Sequence, residues 1–170
     1  MHHDELYTGK FLSIHRTQEG YEYAERKGKD SVAFLLYDSS NNTVGYRNEY
    51  KPPVATWVLG AFGGSIDKQK SPVDIVIDEV AEEAMYNVSP KDVKYLGKYL
   101  VSTQMNQWCM LYAVDVTNNE GDYYSEQSFD VLESLSDTSW HRADNIPTEC
   151  WKAYVILTKM FEKGLVKRYV

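Results

Sequence analysis

The chain has 170 residues, 43% hydrophobic and 25% charged, a length and balance that suit one folded domain with its own core and exclude a disordered or fibrous chain. Its 18 Lys and Arg stand against 25 Asp and Glu, a formal charge of -7. That excludes a broad basic face and hence long nucleic acid as a partner, while a small phosphate-bearing ligand still fits a local site. No window approaches the roughly 18 apolar residues of a membrane span, and the start MHHDE lacks a secretion signal, so no membrane partner and a cytoplasmic location are expected.

Residues 10–15 and 20–27 are short runs separated by the turn sequence TQEG, which predicts a hairpin. Residues 31–37 (SVAFLLY) form a continuous apolar run closed by DSSNN, and 43–50 resume in extended style. A buried central strand with a hairpin partner is expected. Lys51-Pro52-Pro53 blocks any helix, and the short run 56–59 ends in Gly60-Ala61-Phe62-Gly63-Gly64.

From Ser71 the period changes from 2 to 3.6. Val73, Val76, Ile77, Val80 and Ala84 recur at helical spacing behind an N-cap Ser71, Pro72 at the first helical position and Asp74 at the third. Strands are expected again over 93–101 and 108–116, joined by the polar link 102–107. Residues 117–138 carry six acids and no Lys or Arg, including Glu126 and Glu133. This stretch reads as an irregular insert, functional or disordered. A second helix is expected over 148–163, laying Trp151, Tyr154, Val155, Thr158, Met160 and Phe161 on the sheet.

On the first helix Glu79, Glu82 and Glu83 fall within one arc of about 100°, opposite Val73, Ile77, Val80 and Ala84. Clustered like charges cost a few tenths of a kcal/mol unless a cation compensates, which points to a hard divalent metal; a solvated acidic face is the plain alternative. The loop before the helix adds Gly63-Gly64, where the backbone can pass close to another group and offer a carbonyl oxygen as a ligand.

His15 and His141 stand alone and read as structural or surface residues. Most of the tyrosines and Trp57, Trp108, Trp140 and Trp151 are expected in core or interface positions. Cys109 and Cys150 read as reduced thiols, with no disulfide or zinc pattern.

Loop, helix and acids together resemble the Nudix box, G-x5-E-x7-R-E-U-x-E-E-x-G-U with U aliphatic. Gly64 matches its first glycine, Glu79 the Glu after the Arg, Val80 the aliphatic position, and Glu82 and Glu83 the paired acids, with Asp67 at a frequent acidic place. The chain departs at Lys70 for the first Glu, Asp78 for the Arg and Met85 for the second Gly. Lys70 and Asp78 exchange the signs of a supporting pair, so a reversed ion pair is expected, and Asn87 becomes the expected left-handed helix cap. The layout outside the box is similar to ADP-ribose pyrophosphatases. Lys51 stands where those relatives carry a diphosphate-binding Arg, and Gly60 where they carry a metal-supporting Glu.

The resemblance implies an α/β fold over residues 1–170, a Nudix-like α/β/α sandwich with a central mixed β-sheet. It implies a Mg²⁺- or Mn²⁺-dependent hydrolase of a nucleoside diphosphate linked to another moiety, an ADP-ribose-type pyrophosphatase as first guess, with a homodimer as one oligomeric state. Gly64, Glu79, Glu82 and Glu83 would be metal ligands, Glu82 and Glu83 catalytic, Lys51 substrate-binding, and Glu126 or Glu133 would orient water. Two alternatives stand beside it. One is a catalytically weak or silent Nudix-like module binding a nucleotide or protein; the other is an interaction protein whose acidic helix binds no metal.

Overall fold

The computed structural model describes residues 3–28, 30–66, 69–119, 136–145 and 147–168. A three-stranded antiparallel sheet comes first, with β1 (Asp4–Thr8), β2 (Leu12–Arg16) and β3 (Glu22–Arg26) in sequential order. The hairpin of β2 and β3 follows the predicted turn. β1 was not expected, and its five residues are all exposed, so no alternation marks it.

The second sheet is built on β4 (Ser31–Asp38), whose residues are almost all buried. Val32, Phe34 and Leu36 belong to one apolar cluster, and Ala33, Leu35 and Tyr37 to another. A strand covered on both faces has no polar side to show, which is why it reads as an unbroken apolar run. β5 (Thr43–Lys51), β6 (Thr56–Gly60), β7 (Phe62–Ser65), β8 (Val93–Leu100), β9 (Trp108–Asp115) and β10 (Asp137–Arg142) complete the sheet. Its main order is β10-β5-β4-β9-β8, mixed because β4 and β9 run parallel from Ser31↔Cys109 to Tyr37↔Asp115.

β4 changes partner along its other edge. Residues 31–34 pair with β7, whereas residues 36–38 pair with β5. β5 then continues past the sheet to pair with β6, Arg47 facing Gly60 and Lys51 facing Thr56. The sheet therefore forks, and the fork opens a cleft between β5 and β7.

Helix α1 (Pro72–Ala84) covers the face with Val32, Phe34 and Leu36 and buries Ile75, Val76, Val80 and Ala84. Ser71 caps it by accepting the Asp74 amide, as its sequence predicts. The helix stops at Met85, which itself takes the left-handed conformation with φ 61°. The expected stop at Asn87 is thus corrected: the Met85 amide already reaches the Val80 carbonyl, and chain direction has changed before residue 87.

Helix α2 (Trp151–Glu162) covers the opposite face. It buries Ala153, Ile156, Leu157 and Met160, with Val155 and Phe161 packed against the same core, so the predicted packing face holds for Met160, Val155 and Phe161 and is corrected for Trp151 and Tyr154. Trp151 and Tyr154 are 39% and 53% exposed. Bulk suggested a core role for these rings, but the face that meets β4 and β9 needs the smaller Ala153 for close approach. All four tryptophans are in fact substantially exposed, and Phe34, Tyr46 and Phe62 fill the core positions instead. Burial raises the Tyr46 hydroxyl pKa to about 12.

The polar link 102–107 moors the small sheet to the large one. Ala24 donates to the Gln104 carbonyl at 2.8 Å, Asn106 donates to the Ala24 carbonyl at 2.9 Å, and the Tyr21 hydroxyl reaches the Thr103 carbonyl at 2.9 Å. Cys109 and Cys150 are free thiols. No helix among the described residues is long and apolar enough to cross a membrane.

Candidate functional site

Period two along β5 puts Arg47, Glu49 and Lys51 on one face, and that face lines the cleft. Lys51 also contacts Glu49, its Nζ 2.5 Å from Oε2. The cleft holds about 440 Å³. Its opposite wall is β7 with the Gly63–Gly64 backbone, and Glu79 and Glu83 of α1 close one side. Lys152 from the start of α2 and Arg26 from the end of β3 complete a ring of cations.

Gly63 is required by the backbone beside it, and Gly64 leaves the room that the Glu79 side chain occupies. A Cβ on Gly63 would lie 2.6 Å from the Val32 carbonyl oxygen, and one on Gly64 would overlap the Glu79 carboxylate. Gly64 and Glu79, paired in the sequence reading, thus pack directly against each other. Just before the helix, Lys70 Nζ donates to Asp78 Oδ2 at 2.6 Å. The reversed pair forms as expected and ties the loop to the second turn of α1. The hydrogen bond to Asp78 and its charge raise the Lys70 pKa above the ordinary lysine value.

The central residue of the cleft escaped the sequence reading. Arg47 is 7% exposed, and its guanidinium forms an ion pair with Glu83. Nη2 donates to Ser136 Oγ at 3.0 Å, while Nε stands 3.7 Å from Glu49 Oε2, too far for a hydrogen bond. Among the described residues, Arg47 Nε and Glu83 Oε2 are buried with no hydrogen-bond partner. Such orphaned atoms carry a desolvation cost of about 1–3 kcal/mol each, more when charged, unless a ligand meets them. The alternation Arg47, Glu49, Lys51 was a signal for this residue, because side chains two apart on a strand share a face.

The structure therefore brings Gly64, Glu79, Glu83 and Lys51 to one cleft. Glu82 is exposed and does not line it. Glu126, Glu133 and Asp67 lie outside the described residues. Gly60, opposite Arg47, is buried, and an added Cβ there would already touch Cys150, 3.4 Å from its Cβ and Sγ. His15 and His141 stay away from the cleft, each beside a serine hydroxyl.

Two carboxylates, one with an unpartnered buried oxygen, stand beside a glycine backbone, hard oxygen donors of the kind a divalent cation takes. No group of three acidic, His or Cys side chains able to hold a metal forms among the described residues. Arg47 occupies Glu83, and Glu82 stands outside the cleft.

The sequence matches no family model and no curated protein. The structure is similar to the crystal structure of an ADP compounds hydrolase, with a TM-score of 0.72 at 11% sequence identity, over 97% of this chain and 94% of that chain. The likeness is one of fold. The chain has the mixed central sheet between helices of the Nudix-like α/β/α architecture.

Proposed function

We propose that the protein hydrolyses the diphosphate link of a nucleoside diphosphate joined to another moiety, an ADP-ribose-type compound being the first substrate to try. One observation carries this reading: Glu79 and Glu83 face Gly63–Gly64 inside a cleft that also holds Arg47, Lys51 and Lys152. Carboxylates and cations around one cleft suit a diphosphate that arrives with a metal, since both partners' charges are balanced there.

Glu79, Glu83 and the Gly64 carbonyl would hold Mg²⁺ or Mn²⁺; Glu82, exposed outside the cleft, is the further acid that the resemblance names as a ligand. When bound, the metal neutralises diphosphate charge and lowers the pKa of water. Lys51 and Lys152 steady phosphate oxygens as point charges, and Arg47 offers its free Nε edge. Glu126 and Glu133 are candidates for orienting the attacking water.

A second reading is a nucleotide-binding module with little turnover. The Arg47–Glu83 pair and Gly60 favour it, because a guanidinium fills the place of cationic charge and an acid is absent. A hydrolysis screen over nucleoside diphosphate sugars, dinucleoside polyphosphates, dinucleotide cofactors and nucleoside triphosphates separates the two. Metal-dependent release of a nucleoside monophosphate is expected. Saturable binding of these compounds without turnover would establish the module instead.

A further inference from the structure

A second pocket opens beside the cleft at the seam between the two sheets. It holds about 630 Å³ and is lined by Lys10, Phe11, Arg26, Lys27, Ser65 and their neighbours. Arg26 and Ser65 line the cleft as well, so the two spaces adjoin along a shared wall. Backbone pairing sets the pocket's cations side by side. The Lys27 amide donates to the Phe11 carbonyl at 3.0 Å, Arg26 pairs with Leu12 across β2 and β3, and Lys10 Nζ lies 4.8 Å over the Phe11 ring. The floor is held by the Ile66 amide on the Asp30 carbonyl at 3.0 Å.

The charge of this pocket differs from that of both the cleft and the chain. Among the described residues its lining has three cations, one hydroxyl and one exposed ring, and no carboxylate. The cleft mixes cations with Glu49, Glu79 and Glu83, and the whole chain carries -7. Cations gathered in an acidic protein repel one another without a local counter-charge, and an anion relieves that repulsion. The exposed face of Phe11 adds a stacking surface for a planar group.

We propose that this pocket is a second phosphate site, taking a phosphomonoester carried on the same molecule as the diphosphate. The preferred ligand class is then a nucleoside diphosphate compound with an additional phosphate on its nucleoside, Lys10, Arg26 and Lys27 meeting that phosphate. The inference rests on the diphosphate reading of the cleft and deepens it. A neutral terminal sugar would leave the three cations unmatched, whereas a phosphomonoester of charge near -2 matches them.

The test compares ADP-ribose with its 2′-phosphate derivative by titration calorimetry at fixed Mg²⁺, on the full chain and on the Lys10→Ala/Lys27→Ala variant. Both lysines are exposed and stand outside the cleft. The wild type is expected to bind the phosphorylated compound about tenfold more tightly, as one or two charge-assisted contacts give. The variant should lose that preference and keep its affinity for ADP-ribose. Equal affinities in the wild type, a preference that survives in the variant, or binding of neither compound overturns the inference. So does a ten-residue glutamate peptide that binds the wild type more tightly than the phosphorylated nucleotide and loses that binding in the variant. Turnover is read separately: a preference without hydrolysis removes the hydrolase reading alone, and hydrolysis without a preference removes the second site alone.

Discussion

Replacing Arg47 by Met removes one partner of a buried ion pair while keeping most of the apolar volume. The two side chains are 8% and 14% exposed, so Glu83 loses its counter-charge in a place where water compensates poorly. Breaking such a pair costs about 3–5 kcal/mol. For a chain of this size about 2–4 °C accompany each kcal/mol, so the melting temperature in EDTA should fall by roughly 6–20 °C. The double variant Arg47→Met/Glu83→Gln should recover much of the loss, because a neutral, similarly sized pair has little desolvation to offset. Added Mg²⁺ should raise the melting temperature of Arg47→Met more than that of the wild type, since the metal no longer competes with a guanidinium for Glu83. Thermal melts of the four proteins of this cycle, with and without metal, test all three statements. A single variant melting within about 2 °C of the wild type, or a double variant equal to the sum of the singles, would refute the idea of a coupled buried pair.

The Lys70–Asp78 pair gives a second cycle: Lys70→Glu sets two acids together and should lower activity, while Lys70→Glu with Asp78→Arg should restore much of it, measured as rates on one accepted substrate. Glu79→Gln and Glu83→Gln should each lower turnover by about 100- to 1000-fold, and the exposed Glu82→Gln by less; Glu79→Gln should do so with little loss of stability, whereas Glu83→Gln also leaves the buried Arg47 without its counter-charge and lowers the melting temperature, and near-wild-type rates in the first two would remove them from the mechanism. Met85→Gly should stabilise the chain by about 1 kcal/mol in denaturant titrations, because Met85 is 47% exposed and holds a left-handed conformation that glycine adopts without strain. Asp92 is penalised by partial burial, yet the Ser89 hydroxyl and amide hold its carboxyl below the usual aspartate range. Its contribution is present above the ordinary carboxylate pKa and is lost as pH falls through the depressed one. The gap in melting temperature between the wild type and Asp92→Ala should therefore close toward low pH.

The elements legible in the sequence are those whose determinants are local. Ser71, Pro72 and Asp74 set the start of α1 through their own backbone chemistry, and the run SVAFLLY announced a strand covered on both faces. The glycine loop and the acids of α1 lie within 20 residues of one another, so Gly64, Glu79 and the Lys70–Asp78 pair could be related through the resemblance to the Nudix box, while helical geometry grouped the acids. What followed from contacts distant in sequence was not legible. β1 and β10 are edge strands with little burial of their own and exist through their partners. The exposed tryptophans reflect which face of α2 and which strand edges the sheet left uncovered, a matter no local pattern records. Most of all, the place of Arg47 beside Glu83 depends on the fork of β4, which hands its edge from β7 to β5 and turns one face of β5 into the cleft. Alternation along β5 puts Arg47, Glu49 and Lys51 together, but only the tertiary structure selects the side on which a buried guanidinium meets a helix carboxylate, because that choice is made by strands and a helix drawn from separate parts of the chain.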